Sequence, residues 1–132
     1  MFKTKFLYSL IIISIFTACS SGVKESDAEY LASLMCEATK TLDPTVYSEY
    51  AEEPLKSDLK LLAESIQIAL KRPGMQEQMD MLIIKNSTID CTTSIVLTKQ
   101  DDGSFLYENI ELKSNYVIYQ IDGELKIRPI TY

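Results

Sequence analysis

The spacing of apolar positions changes character once along the chain, from helical intervals before Asn86 to alternation after it. Ala28, Leu31, Ala32, Met35, Thr39 and Leu42 recur at intervals of three and four, which places one apolar face on a helix with Cys36 at its shoulder. Ser26-Asp27-Ala28-Glu29 has the form of a capping box, so this helix is predicted to begin at Ser26. Asp43-Pro44 then supplies an N-cap and a first helical residue for a short helix carrying Val46, Tyr47 and Tyr50. A third helix opens at Glu52-Glu53-Pro54 and carries the stripe Leu55, Leu59, Leu62, Ile66, Ala69 and Leu70 as far as the breaker Pro73-Gly74. Leu61 and Ile68 lie on its second face, either packed on the first helix or forming a partner-binding patch. Met75 to Asp80 keep the helical spacing, and Met81 to Ile84 read as the beginning of a strand.

Beyond Asn86 the composition turns to Thr, Ile, Val and Tyr. In Cys91 to Thr98, the residues Cys91, Ile95 and Leu97 share a core-facing side, and Thr92, Ser94 and Thr98 the other. Gln100 to Ser104 is a hairpin signal in which Gly103 supplies a positive φ, and Asp122-Gly123 is a second. They join strands expected at about Phe105 to Leu112, Tyr116 to Ile121 and Glu124 to Ile130, with Lys113-Ser114-Asn115 turning between the first two. Pro129 has no amide to donate, so the last strand ends there or lies at an edge. Helices first and a strand meander second predict an α+β domain, its N-terminal helices packed on a C-terminal antiparallel sheet of about four strands.

Ahead of these elements, Lys3 and Lys5 precede an apolar run of eleven residues, Phe6 to Phe16. That run is too short to cross about 30 Å of hydrocarbon as a helix and reads as a removed signal peptide. It closes on Phe16-Thr17-Ala18-Cys19, which resembles the lipobox of bacterial lipoproteins, with Phe16 where Leu is preferred. The resemblance implies cleavage between Ala18 and Cys19, a lipid on the Cys19 thiol and attachment to the cell envelope. Ser20, standing where Asp would signal inner-membrane retention, implies the outer membrane. The small and charged residues up to Glu25 read as a flexible link. The chain therefore divides into a signal peptide (1–18), a lipidated tether (19–25) and one domain (26–132).

Processing changes the charge balance. The chain carries a formal −6, but without Lys3 and Lys5 there remain 11 basic against 19 acidic residues, or −8. No cluster of Lys or Arg is present to hold phosphates, which argues against nucleic acid as a partner. Histidine is absent, which removes the usual general base near neutral pH, the commonest metal ligand and every Ser-His or Cys-His pair. No residues have zinc-ligand spacing, and no cofactor is expected. With Cys19 lipidated, Cys36 and Cys91 either form a disulfide, closing a loop of about 56 residues for about 4 kcal/mol, or stay as two buried thiols. Glu108 falls in the same strand row as Leu106, Ile110 and Leu112. Inside a cavity it would be an acid-base candidate with a raised pKa; a bulge or a sheet margin would expose it instead.

The opening helix and the closing hairpin Tyr116-Val117-Ile118-Tyr119-Gln120-Ile121-Asp122-Gly123-Glu124-Leu125-Lys126-Ile127 are similar to the nuclear-transport-factor-2-like and cystatin-like cone folds. Leu125-Lys126-Ile127 stands where members often carry Trp-Lys-Ile. This likeness implies a concave sheet able to hold a ligand or partner, while the His and Asp pair of that fold's enzymes is missing. The leading expectation is a lipid-anchored envelope protein whose non-catalytic domain binds a protein partner or a small ligand, with Tyr116 and Tyr119 on opposite strand faces as contact residues. The alternatives are a carboxylate-dependent enzyme centred on Glu108, or an inhibitor of a periplasmic or host hydrolase that inserts the hairpin Lys99 to Ser104 into a cleft.

Overall fold

The computed structural model describes residues 22–130. Four helices, α1 (Glu25–Lys40), α2 (Pro44–Tyr50), α3 (Leu55–Ala69) and α4 (Met75–Asn86), precede four strands, β1 (Ile95–Lys99), β2 (Phe105–Asn109), β3 (Ser114–Ile121) and β4 (Glu124–Arg128). The strands form one antiparallel meander in the order β1-β2-β3-β4. The α+β layout expected from the apolar spacing is therefore the fold.

The predicted stripe on α1 is the centre of the core. Ala28, Leu31, Ala32 and Met35 are buried against Phe105 and Tyr107 of β2, Tyr116 and Ile118 of β3 and Ile127 of β4. The two alanines remove side-chain bulk from the face that must approach the sheet. The capping box at its start does not form. The helix begins at Glu25 after Lys24, no side chain caps it, and the Ala28 amide donates to the Lys24 carbonyl at 3.0 Å. Val23 is buried just before it, so residues 22–25 belong to the domain rather than to a free link.

At the other end of α1, Leu42 turns the chain with φ 57. Asp43 caps α2 as expected, accepting from the Thr45 amide at 3.0 Å and its hydroxyl at 2.6 Å. α2 leads into Ala51, which bridges Ile127 of the edge strand β4. α3 packs on α2, yet neither α3 nor α4 buries a single residue. The strand expected from Met81 is not formed: α4 continues to Asn86. A four-residue apolar run does not fix a period, and no strand is placed to pair with it.

The first strand also begins later than predicted. Asp90 accepts from the Thr92 amide and hydroxyl at 2.8 and 2.6 Å, and this local turn occupies Cys91 to Ser94. Cys91 nevertheless faces inward and is bonded to Cys36, with the sulfurs 2.04 Å and the Cα atoms 5.8 Å apart. Ser94, expected outside, is buried and accepts from the Asn109 side chain at 3.1 Å. The inner row of β2 is Phe105, Tyr107 and Asn109, one residue out of step with the predicted row of Leu106, Glu108, Ile110 and Leu112. Such a one-residue difference exchanges the two faces of a strand. The Asp122-Gly123 turn has positive φ at both positions and joins Ile121 to its partner Glu124, as the hairpin reading required.

Candidate functional site

The helices leave a cleft where α1 ends. Leu42 and Pro44 form one wall and Leu59, Leu62 and Ile66 of α3 the other of an open groove of about 270 Å³ that also includes Ala38, Thr39 and Tyr47. A wider, open cleft of about 820 Å³ shares Leu42, Asp43, Pro44 and Ile66 and runs on to Ile68 and Met79. Both exist because α3 rests on α2 and leaves its second half standing beside the α1–α2 turn.

Polar groups of the smaller cleft sit at its floor. The Tyr47 hydroxyl donates to the Thr39 hydroxyl, and lies 3.1 Å from the Met35 carbonyl and 3.0 Å from the Tyr116 hydroxyl. Thr39 itself donates to the same carbonyl at 2.9 Å. Behind them Tyr116 stacks on its cross-strand partner Tyr107, centroids 4.5 Å apart, and meets Tyr47 edge-on at 5.5 Å. Burial pushes the Tyr47 and Tyr116 phenols above their ordinary range, with neighbouring phenols adding to the effect at Tyr116. Neutral phenols are hydrogen-bonding groups here and not bases.

Other apolar side chains of α3 and α4 are left without cover. Leu61 is 60% exposed and Ile68 63%, so neither packs on α1; Met81 and Ile84 of α4 reach 69% and 68%, and Leu62 and Leu82 about half. Large apolar side chains gathered in this way mark interaction surfaces more often than single exposed ones. The charge distribution singles out the same region. Residues 55–86 hold five basic and four acidic residues, whereas the rest of the chain after Cys19 holds six and fifteen. The helical pair α3–α4 is thus the near-neutral part of an acidic protein.

The structure separates the residues expected to act together. Ile68 lines the open cleft, and Leu61 lies elsewhere on the exposed surface of α3. Tyr116 is buried in the core, reaching the smaller cleft only through Tyr47. Tyr119 lies on a third cleft of about 410 Å³ with Glu52, Pro54 and Arg128. Its hydroxyl donates to the Glu52 carboxylate, the Arg128 guanidinium lies 5.1 Å over its ring, and its phenol is pushed up to about 12 by desolvation and the Glu52 bond. Glu108 is exposed, so the acid-base role that required it in a cavity has no site here. Its inner-face neighbour Asn109 holds the buried polar position instead, donating to Cys36 Sγ at 3.4 Å and to Ser94 Oγ and accepting from the Leu112 amide.

Ala18 and Cys19 lie outside the described residues. Among the described residues no His, Cys, Asp and Glu group has the geometry of a metal site, and no helix is long and apolar enough to cross a membrane. The chain matches no protein-family model, no characterised protein and no solved structure. In the sequence Thr39, Tyr47 and Pro44 stand out only as helix residues. The one signal that would have drawn them together is their position around the break at Leu42 to Pro44, where three helices must meet.

Proposed function

We propose that the protein is a lipid-anchored component of a bacterial envelope whose domain works by binding, taking an apolar segment of a protein partner or a small apolar ligand into the cleft beside Leu42 and Pro44. The observation that carries this reading is the open apolar groove of about 270 Å³ lined by Leu42, Pro44, Leu59, Leu62 and Ile66, on a helix whose further apolar side chains Leu61 and Ile68 are uncovered. The Cys36–Cys91 bond is consistent with an oxidising compartment such as the periplasm. Lipid attachment rests on Cys19 and its preceding Thr17-Ala18.

The test has two arms. Cells grown with labelled palmitate should label the wild-type protein and not Cys19→Ala. A photo-crosslinking residue at position 62 or 68 should capture one defined species in intact envelopes, while the same residue at position 108 should not. Equal capture at all three positions would reject the cleft as the binding surface.

A further inference from the structure

We infer that the β1–β2 turn is the membrane-facing end of the anchored protein, resting against the phospholipid headgroups while the apolar cleft lies at the far end of α1. This rests on the proposed lipid at Cys19 and adds the direction in which the domain is held.

Gly22 is fixed to the turn. The Val23 amide donates to the Gly103 carbonyl at 3.0 Å, and a Cβ on Gly22 would lie 2.3 Å from that carbonyl oxygen, so the two backbones are in direct contact. The turn is itself tied together. The Gln100 amide donates to the Ser104 carbonyl and the Gly103 amide to the Gln100 carbonyl, and the Ser104 hydroxyl bonds to Gln100 at 2.8 Å and Asp102 at 2.5 Å. Asp102 also pairs with Arg128 at 3.8 Å. Chain leaving this clamp toward the N-terminus reaches Cys19 in three residues. Three residues span at most about 11 Å. A lipid on Cys19 therefore holds the turn within about that distance of the bilayer, however the domain swings.

The cleft is not so constrained. α1 starts beside Gly22 and its 16 residues carry the chain about 24 Å away. The cleft is built on the last turn of α1 and the residues that follow it, from Ala38 to Pro44. Lys40 donates to the Ile89 carbonyl at 2.8 Å, which keeps the end of α4 at that far end too. Exposed charges at the near end are of both signs, Asp101, Asp102, Glu25 and Asp27 against Lys24, Lys99 and Arg128, so the covalent lipid and not the headgroup charge sets the orientation.

The test uses the lipidated full chain reconstituted in phosphatidylcholine vesicles with a headgroup quencher. A fluorophore is placed on a cysteine at position 101 (Asp101→Cys) or 81 (Met81→Cys), both exposed sites. Quenching should be several-fold stronger at position 101, and a long Gly/Ser insert between Ser21 and Gly22 should abolish the difference. Equal quenching at both sites, or stronger quenching at 81, would overturn the orientation with the lipid in place. Failure of palmitate to label the chain would instead remove the anchor itself, and mass analysis of the same sample separates the two results.

Discussion

Replacing both Cys36 and Cys91 by alanine tests how the helical excursion between them is held. The bond spans 55 positions and encloses all of α2, α3 and α4. In the chain-entropy account, releasing a loop of that size frees the unfolded chain by about 4 kcal/mol. Little in the excursion offsets that loss. α3 and α4 bury no residue, and α4 makes no extended contact with another element. Against a typical domain stability of about 5–15 kcal/mol, the double variant should be marginal. With a urea dependence of about 2 kcal/mol per molar, its midpoint should fall by about 2 M, measured by far-UV circular dichroism, and the slope should rise because the uncrosslinked chain exposes more surface. Alanine avoids burying a hydroxyl at the Cys36 site, and Asn109 keeps its bond to Ser94. A midpoint within about 0.3 M of wild type would refute the reasoning and assign closure of the excursion to packing of α1 and α2 alone.

Three further outcomes follow from the same geometry. The raised phenols of Tyr47, Tyr116 and Tyr119 mean that the folded state holds protons the unfolded chain releases. Stability should therefore be full below about pH 10 and fall as pH rises above it, which urea midpoints measured across alkaline pH would check; a flat profile to pH 12 would count against the buried phenol cluster. Gly103→Ala forces a side chain onto φ 86 and places its Cβ 2.8 Å from the Gly22 Cα; a loss of roughly 1–3 kcal/mol is expected in thermal or urea unfolding. Leu62→Ser and Met81→Ser should each change stability by no more than about 0.5 kcal/mol, both sites being exposed. Reduced crosslinking to the partner at unchanged stability is the expected result, and unchanged crosslinking would set those side chains outside the interface.

The elements that alternate cleanly were readable. α1 places apolar residues on one side only, and Asp43-Pro44, Gly103 and Asp122-Gly123 carry local backbone requirements that no tertiary contact needs to supply. Readings failed where the pattern was symmetric. β2 has apolar residues on both parities, Phe105 and Tyr107 against Leu106 and Ile110, so its burial was decided by a polar residue, Asn109, finding partners inside. Cys91 to Ser94 read as strand by composition, but Asp90 bonded the backbone into a turn. In the candidate site, Ile68 was visible as an excess apolar position, whereas the meeting of Leu42, Tyr47 and Leu62 was not, because no periodicity within one helix reports on its neighbour.

The amino-acid sequence by itself determined that helices precede strands, the Asp43, Gly103 and Asp122-Gly123 turns, the acidic balance and the absence of histidine chemistry, since each depends on residue type or on local spacing, whereas the turn expected at Lys113 to Asn115 lies at residues 110–113. Only the tertiary structure decided which face of β2 enters the core, that Cys36 and Cys91 are joined, that α3 and α4 stay uncovered, and that Gly22 is locked to Gly103. These are contacts between residues far apart in the chain. Their free energy comes from shape and burial at the meeting of elements, a quantity that no single stretch of sequence contains.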